Sequence, residues 1–162
     1  MLTQQYIQSL FDYKDGQLVR KTTKSTRCPV GSVAGYQIAS NNHWLVGIDD
    51  EIYPLASLVW LWHYGEYVLG LDHKDQNPSN NNISNLRKAT ITQNNCNRAK
   101  NKRNATSIFK GVSWSKYRNK WIAHIQHKGK QRHLGFFVLE QDAAEAYNKK
   151  AIELHGEFAV LN

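Results

Sequence analysis

Four polar residues in the middle of the chain have the types and spacing of a site that could hydrolyse a phosphodiester bond. Asp72 and His73 end a short apolar run, Asn85 follows twelve residues after the histidine, and Asn94 nine residues later. Aspartate and asparagine oxygens can hold Mg²⁺, which keeps several waters. Histidine has an ordinary pKa of about 6.5 and can take a proton from water at neutral pH. Taken alone, an Asp-His pair more often marks a hydrogen-bonded structural histidine.

The residues around this group predict the elements that position it. Val68–Leu71 is a short apolar strand, and residues 74–84 form an Asn-rich loop. Asn85–Ala89 is a second short strand. A Thr-x-x-Gln capping box then predicts a helix from Thr90 to about Ala99. The order strand, loop, strand, helix brings the amide of Asn94, in the first helical turn, back toward the end of the first strand.

Residues 1–54 predict a small strand-rich unit, because runs rich in β-formers alternate with turns that contain Gly, Pro, Asn or Asp. The candidate strands are Gln17–Lys21, Val33–Ala39, Trp44–Ile48 and Glu51–Tyr53. Residues 55–64 are apolar at helical spacing and are followed by Gly65, which predicts a buried helix.

Residues 107–162 predict a second unit, and the basic segment 100–106 before it has no apolar anchors and is typical of a linker. The predicted elements are three strands, Gly111–Lys116, Lys120–Gln126 and Gln131–Val138, and a helix, Glu140–His155. The predicted fold class is α+β: a small N-terminal antiparallel β unit, a ββα segment over residues 55–99, and a three-stranded antiparallel sheet packed on one helix.

Composition excludes several classes of protein. The 162 residues are 41% hydrophobic and 21% charged, which is typical of a folded soluble protein. No apolar run approaches the roughly 20 residues that span a bilayer, and the N-terminus does not resemble a secretory signal. The only cysteines, Cys28 and Cys96, form no CxxC pair, so we expect neither a disulfide scaffold nor a zinc site, and we expect a reducing cytoplasm.

The distribution of charge indicates a polyanionic partner. The net charge is +8, and residues 76–139 contain 13 Lys and Arg but no Asp or Glu. A stretch of 64 residues without an acid is typical of a surface that binds nucleic acid. The alternative is a basic surface with no ligand.

Residues 71–94 read LDHKDxNPxNNNxxNLRxATxxQN and resemble the HNH nuclease motif, especially that of phage intron-encoded homing endonucleases and their free-standing relatives. The resemblance covers about Leu55–Ala99 and implies a ββα-metal finger. It implies that Asp72 and Asn94 are ligands of Mg²⁺ or Mn²⁺. It also implies that His73 is the general base and that Asn85 orients the His73 ring through a hydrogen bond.

The chain departs from the family pattern at one place. Many relatives have His-Arg-Leu at the start of the preceding helix, where this chain has Ala56-Ser57-Leu58. If that His or Arg contacts phosphate in the relatives, this chain lacks the contact. We therefore expect the departure to affect the strength of DNA contact more than the chemistry of cleavage.

The last 56 residues resemble the Apetala-two DNA-binding domain of plant ethylene-response factors, which also follows the HNH motif in phage and bacterial nucleases. Gly111-Val112, Trp121-Ile122-Ala123, Leu134–Phe137 and the Ala-Ala-x-Ala-Tyr of 143–147 carry the resemblance. In that family the sheet lies in the major groove. Strand alternation turns Trp121 toward the helix and Lys120 and Ile122 toward DNA.

The predicted DNA-contacting residues come from the basic stretch and from the outward face of this sheet. They are Arg87, Lys88, Arg98, Lys100, Lys102, Arg103, Lys110, Ser113, Ser115, Lys120, His124, Gln126, Gln131 and His133. Plant members use several Arg at these places, so the target sequence does not carry over.

The leading functional hypothesis is a Mg²⁺-dependent DNA endonuclease that acts on double-stranded DNA. One finger gives one active centre, so a monomer on DNA would make a single-strand nick. The alternative is a DNA-binding regulator with an inactive nuclease motif. An RNA-binding module is a weaker third interpretation, because the sheet lacks the paired aromatics of a stacking platform.

Overall fold

The computed structural model describes residues 2–22, 26–98, 100 and 106–162 and confirms the α+β class. The chain forms two units, Met1–Thr90 and Ile91–Asn162. The division precedes the helix that carries Asn94, so this helix groups with the C-terminal residues. The domain limits expected from the sequence, at residues 54, 99 and 106, remain predictions.

The first unit contains two helices and three antiparallel sheets in the described residues. Its elements are α1 (Gln4–Leu10), β1 (Phe11–Lys14), β2 (Gln17–Arg20), β3 (Tyr36–Gln37), β4 (Trp44–Ile48), β5 (Glu51–Pro54), α2 (Leu55–Tyr64), β6 (Leu71–His73) and β7 (Leu86–Lys88). β1 pairs with β2, β4 lies between β3 and β5, and β6 pairs with β7.

The predicted elements of this unit were partly right. The bounds of β4 and α2 match the prediction, whereas α1 and β1 were not predicted. The predicted strand Val33–Ala39 is wrong for most of its length, because only Tyr36–Gln37 pairs with β4 and Val33 makes an isolated bridge to Val19. α1 begins at a cap in which Thr3 Oγ1 accepts from the N–H of Tyr6 at 3.2 Å.

The core of the first unit is built around α2. Leu55, Leu58, Val59 and Leu61 are buried among side chains of α1, β2 and β4. Leu86 of β7 is buried in the same cluster. Burial of one such side chain stabilises the fold by about 1.5–3 kcal/mol, so the β6–β7 hairpin is anchored to the same core as the N-terminal strands.

The β6–β7 hairpin begins later than the sequence indicated. The predicted strand Val68–Leu71 is wrong at both ends, because Leu69 is exposed and pairing starts at Leu71. Asp72 and His73 therefore lie within the strand and do not follow it. Asp72 is opposite Arg87, and His73 is opposite Leu86.

The second unit contains a short helix, a three-stranded antiparallel sheet and a long helix. Its elements are α3 (Ile91–Cys96), β8 (Val112–Ser115), β9 (Lys120–His127), β10 (Lys130–Phe137) and α4 (Glu140–His155). α4 has the predicted bounds and each strand lies within one residue of its predicted ends. α3 is shorter than predicted, and Ala99, its expected end, lies outside the described residues.

α4 covers one face of the second sheet. Ala143, Ala144 and Tyr147 of the helix are buried, with Ala123 and Ile125 of β9 beneath them. The sheet order is β10-β9-β8, so β9 is the central strand. A β-bulge interrupts the β9–β10 pairing between His133 and Gly135. Gly135 has φ +146, a backbone region that favours glycine.

In the part of the chain that the structure describes, no helix is both long and apolar enough to cross a membrane.

Candidate active site

The β6–β7 hairpin buries a carboxylate and an imidazole next to each other in sequence. Asp72 is 3% exposed and His73 is 8% exposed. The Nε and Nη2 atoms of Arg87 each lie 2.8 Å from Oδ2 of Asp72, and the Arg87 side chain is 12% exposed. Because the two residues are directly opposite in the hairpin, strand pairing itself brings the guanidinium to the carboxylate. Arg87 thus supplies the positive charge that a buried carboxylate requires.

The ring of His73 is held by a residue that sequence reasoning missed. Nε2 of His73 lies 3.0 Å from Oδ1 of Asn81, which is 3% exposed. The amide of Asn81 is oriented by its Nδ2, which donates to the carbonyl of Ser79 at 3.4 Å. An amide oxygen can only accept, so Nε2 is the donor. In the neutral ring, Nδ1 is then the nitrogen that accepts a proton.

The structure corrects the expectation that Asn85 forms a hydrogen bond with the His73 ring, because the Asn85 side chain has other partners. Nδ2 of Asn85 donates to Oδ1 of Asp75 at 2.9 Å and to the carbonyl of Asn80 at 2.8 Å. Its Oδ1 accepts from the N–H of Asp75 at 3.1 Å. Asn85 therefore closes the loop that contains Asn81, and it is Asn81 that contacts the ring. A catalytic role for Asn85 stays a prediction.

Asp75 is the centre of the Asn-rich loop. It accepts hydrogen bonds from the backbone N–H of Asn77 at 2.9 Å and from the side chains of Asn80 and Asn85. Burial raises the pKa of Asp75, but these hydrogen bonds outweigh it and hold the pKa below its ordinary value. The asparagines are thus specific donors and acceptors of a folded loop. The sequence signal was their dense spacing, which is also compatible with a low-complexity segment.

The β1–β2 hairpin packs against the Asn-rich loop. The hydroxyl oxygen of Tyr13 accepts from the N–H of Ile83 at 3.2 Å. Gly16, in the turn, has φ +84, and a Cβ there would lie 2.6 Å from the backbone N of Asn82. Only glycine allows the turn to approach the backbone next to Asn81 so closely.

His43 is a second imidazole near the candidate base, and spacing alone gave no signal for it. Its ring centroid lies 6.0 Å from that of His73, with the ring planes at 63°. Partial burial lowers the pKa of His43, and the proximity of His73 lowers it further. His43 is 30 residues upstream of His73, so the fold of the first unit is needed to bring the two rings together.

The chemistry of the available donors fits a hard cation. Asp72 offers carboxylate oxygen, and the predicted second ligand, Asn94, offers an amide oxygen. The described residues contain no cluster of three or more His, Cys, Asp or Glu that could hold a metal ion. Mg²⁺ or Mn²⁺ with few protein ligands and several waters fits this donor set. Asn94 lies in α3 of the second unit, and its joint ligation with Asp72 stays a prediction.

Several basic residues predicted to contact DNA have partners within the protein. Nζ of Lys110 donates to the carbonyls of Cys96 and Arg98 at 2.7 and 2.6 Å, at the end of α3. Nζ of Lys100 donates to the carbonyls of Phe109 and Val112. Burial lowers the pKa of both lysines. They tie together parts of the second unit, and DNA contact by them stays a prediction.

The remaining basic-stretch residues differ in their surroundings. Arg87 binds Asp72, and the exposed Lys88 forms an ion pair with Glu66. Arg98 is exposed and contributes its carbonyl to Lys110. Two further predicted contacts, Lys102 and Arg103, lie outside the described residues.

The strand register gathers the sheet residues of the prediction on one face, away from α4. Residues directly opposite in antiparallel strands share a face. The opposed pairs are Ser113 with Ile122, Ser115 with Lys120, His124 with His133, and Gln126 with Gln131. Phe136 is also opposite Ile122 and was missed, because the bulge changes the alternation of β10 between His133 and Gly135. We call the face formed by these residues the outer face.

The model of the HNH endonuclease family matches residues 56–96, which include all but the first residue of α2, the hairpin and α3. Protein 3.8 of Escherichia phage T7 is 40% identical over 89 residues, which are 55% of this chain and 72% of that protein. The uncharacterized HNH endonuclease L560 of Acanthamoeba polyphaga mimivirus is 38% identical over 92 residues, 57% of this chain and 46% of that protein. The chain therefore belongs to the HNH endonuclease family.

The second group of relatives comes from plants. APETALA2-like protein 2 of rice, from both the indica and the japonica subspecies, is 37% identical over 60 residues. This match covers 37% of the chain but only 14% of the rice proteins. The chain thus spans less than half of the mimivirus protein and a small part of the rice proteins. No solved structure is significantly similar to it.

Proposed function

We propose that the protein is a DNA endonuclease that depends on Mg²⁺ or Mn²⁺ and uses His73 as its general base. The observation that carries this proposal is the hydrogen bond from Nε2 of His73 to Asn81, on a hairpin that also buries Asp72. It leaves Nδ1 as the proton acceptor of the neutral ring. The membership of residues 56–96 in the HNH endonuclease family supports the same reaction class.

Each residue of the proposed site has one task. His73 takes a proton from the attacking water at Nδ1, while Asn81 keeps the proton on Nε2. Asp72 would hold the cation, with Asn94 as the proposed second ligand, and Arg87 holds the Asp72 carboxylate in place. A bound divalent cation would stabilise negative charge on the phosphate and on the leaving 3′ oxygen. Asn85 keeps the loop closed around Asn81.

The second unit is proposed to position the protein on double-stranded DNA. The similarity to the APETALA2-like rice proteins supports this role, and so does the absence of acids between residues 76 and 139. With one nuclease centre per chain, a monomer on DNA is expected to nick one strand. Homing or free-standing activity in a phage is compatible with this scheme.

A specific observation favours one alternative, a DNA-binding regulator with an inactive nuclease motif. Oδ2 of Asp72 is already bound by Arg87, and the chain has Ala56-Ser57-Leu58 where relatives have His-Arg-Leu. A cation must then share the Asp72 carboxylate with a guanidinium. The endonuclease remains the better proposal because the two predicted groups of the hairpin, Asp72 and His73, are both buried and oriented.

Incubation of the full chain with supercoiled plasmid separates the two functions. The endonuclease predicts conversion to nicked circles with Mg²⁺ or Mn²⁺ and none with EDTA. The regulator predicts a retarded plasmid band with no nicking in any metal. Binding measured in parallel by fluorescence anisotropy keeps a folded but inactive protein distinct from one that does not engage DNA.

A further inference from the structure

The outer face of the second sheet has an apolar centre. Ser113, Ile122 and Phe136 form a row across the three strands, because each outer strand places one of them opposite Ile122. Phe136 is 41% exposed and lies on the edge strand β10, next to Ile122 of the central strand. α4 packs on the opposite face of the sheet. Among the described residues, neither core cluster of the second unit includes Phe136.

The ring of Phe136 has two close neighbours. The guanidinium carbon of Arg118 lies 5.3 Å from its centroid, and the ring of His133 lies 4.7 Å away at 56°. A cation placed over a phenyl face is attracted to it. Arg118 therefore occupies a face on which a single-stranded base would otherwise stack. Phe136 and Ile122 share the outer face and together form its apolar centre.

The polar residues around this centre have a definite recognition chemistry. Gln126 and Gln131 are opposite each other, and glutamine amides pair with the N6 and N7 edge of adenine in the major groove. Lys120 is the one lysine or arginine among the strand residues of the outer face. Apolar side chains read the C5-methyl group of thymine in the same groove. The set is thus suited to A·T pairs more than to G·C pairs.

We infer that Phe136 and Ile122 contact thymine methyl groups, and that the second unit selects duplex sites with thymine at the centre of its footprint. This inference rests on the proposed function, because it requires that the outer face lies in the major groove. It assigns to the chain a base preference that follows from its own residues. The rim of Lys120 and Arg118 supplies the charge that attracts the phosphates on either side.

The test begins with selection of bound duplexes from a random pool by the full chain with EDTA present. Thymine is expected at two or more fixed positions of the selected site. Each thymine is then replaced by deoxyuridine, which removes only the C5-methyl group. Wild-type affinity should fall about fourfold for each contacted methyl.

Phe136→Ala should bind the thymine and deoxyuridine duplexes with more nearly equal affinity while its salt dependence is retained. Ile152→Ala is the matched control, since Ile152 is an exposed apolar residue on α4 and should leave the discrimination intact. A selected pool without a thymine preference would overturn the inference. So would equal wild-type affinity for both duplexes, or a Phe136→Ala defect seen only with single-stranded DNA. Failure to bind any duplex would instead overturn the proposed function together with the inference.

Discussion

Nε2 of His73 lies 3.0 Å from the amide oxygen of Asn81, and both side chains are buried. The contact joins a strand residue to a residue eight positions later in the Asn-rich loop. It fixes the ring nitrogen that carries the proton, which a general base requires. The conformation of the loop is therefore part of the catalytic apparatus that we propose, and the predictions below test its parts.

Asn81→Ala should slow DNA cleavage by about tenfold, the equivalent of one hydrogen bond, without weakening DNA binding. The variant removes the acceptor for Nε2, so the ring can adopt the other tautomer. Single-turnover rates and anisotropy measure the two effects separately. Asn82→Ala is the control, because the Asn82 side chain accepts from Ser84 and has no contact with the ring. In a His73→Ala background, Asn81→Ala should have no further effect, and an additional loss there would contradict the assigned role.

Arg87→Ala should destabilise the first unit by about 3–5 kcal/mol, because it leaves the buried Asp72 carboxylate without its cation. Urea unfolding in EDTA measures this loss. Mg²⁺ should stabilise the variant more than the wild type, since the metal can replace the missing charge. Lys88→Ala removes an exposed ion pair and should cost less than about 1 kcal/mol, with no added response to Mg²⁺. An Arg87→Ala protein as stable as the Lys88→Ala control would show that the pair does not stabilise the hairpin.

Gly16→Ala should reduce both the stability of the fold and the rate of cleavage. Gly31→Ala is the control, because Gly31 has nearly the same φ angle. Both glycines have positive φ, +84 and +82, so alanine is strained by about 1 kcal/mol at either position. A Cβ at Gly16 would also collide with the backbone of Asn82, whereas Gly31 has nothing within 4 Å. We expect Gly16→Ala to cost about 1–3 kcal/mol more than Gly31→Ala in urea unfolding. Equal cleavage rates in the two variants would mean that the turn does not position the loop.

Lys110 and Lys120 should respond differently to mutation, although both belong to the predicted DNA surface. Lys120 is exposed on the outer face, so Lys120→Ala should lower the slope of log K against log salt by about 0.9, one phosphate contact. Lys110 binds two carbonyls, so Lys110→Ala should instead cost about 1–3 kcal/mol of stability and leave the slope unchanged. Binding titrations over about 50 to 300 mM salt measure the slopes. A reduced slope in folded Lys110→Ala would return this lysine to the DNA surface.

The helices and strands with strong local signals could be predicted from the sequence. The 16 residues of α4 and the three strands beneath it follow from periodicity and turn signals, as does α2. α1 was missed because it has only seven residues, too few for a clear helical period. The strand predicted from Val68 to Leu71 was wrong at its start because Val68 and Leu69 do not belong to β6, and apolar character alone does not show which residues join a sheet.

The candidate site was predictable only where its functional residues lie close together in the sequence. Asp72 and His73 are adjacent, and their motif is recognisable from residue types. His43 and Gly16 reach the site through tertiary packing, which spacing in the sequence does not reveal. Phe136 was not among the predicted contacts, because a bulge after His133 changes the face on which later residues lie. Asn81 was hidden in a run of three asparagines, of which only one contacts the ring.

The central claim is that His73 is the general base, and its most direct test is the nicking rate of His73→Ala at saturating DNA and Mg²⁺. Loss of a general base should slow nicking by about 10²–10⁴-fold, while the affinity for DNA stays within about twofold of wild type. Added Mg²⁺ should not restore the rate, because no cation concentration replaces the missing base. A His73→Ala protein that nicks plasmid at the wild-type rate would contradict the account.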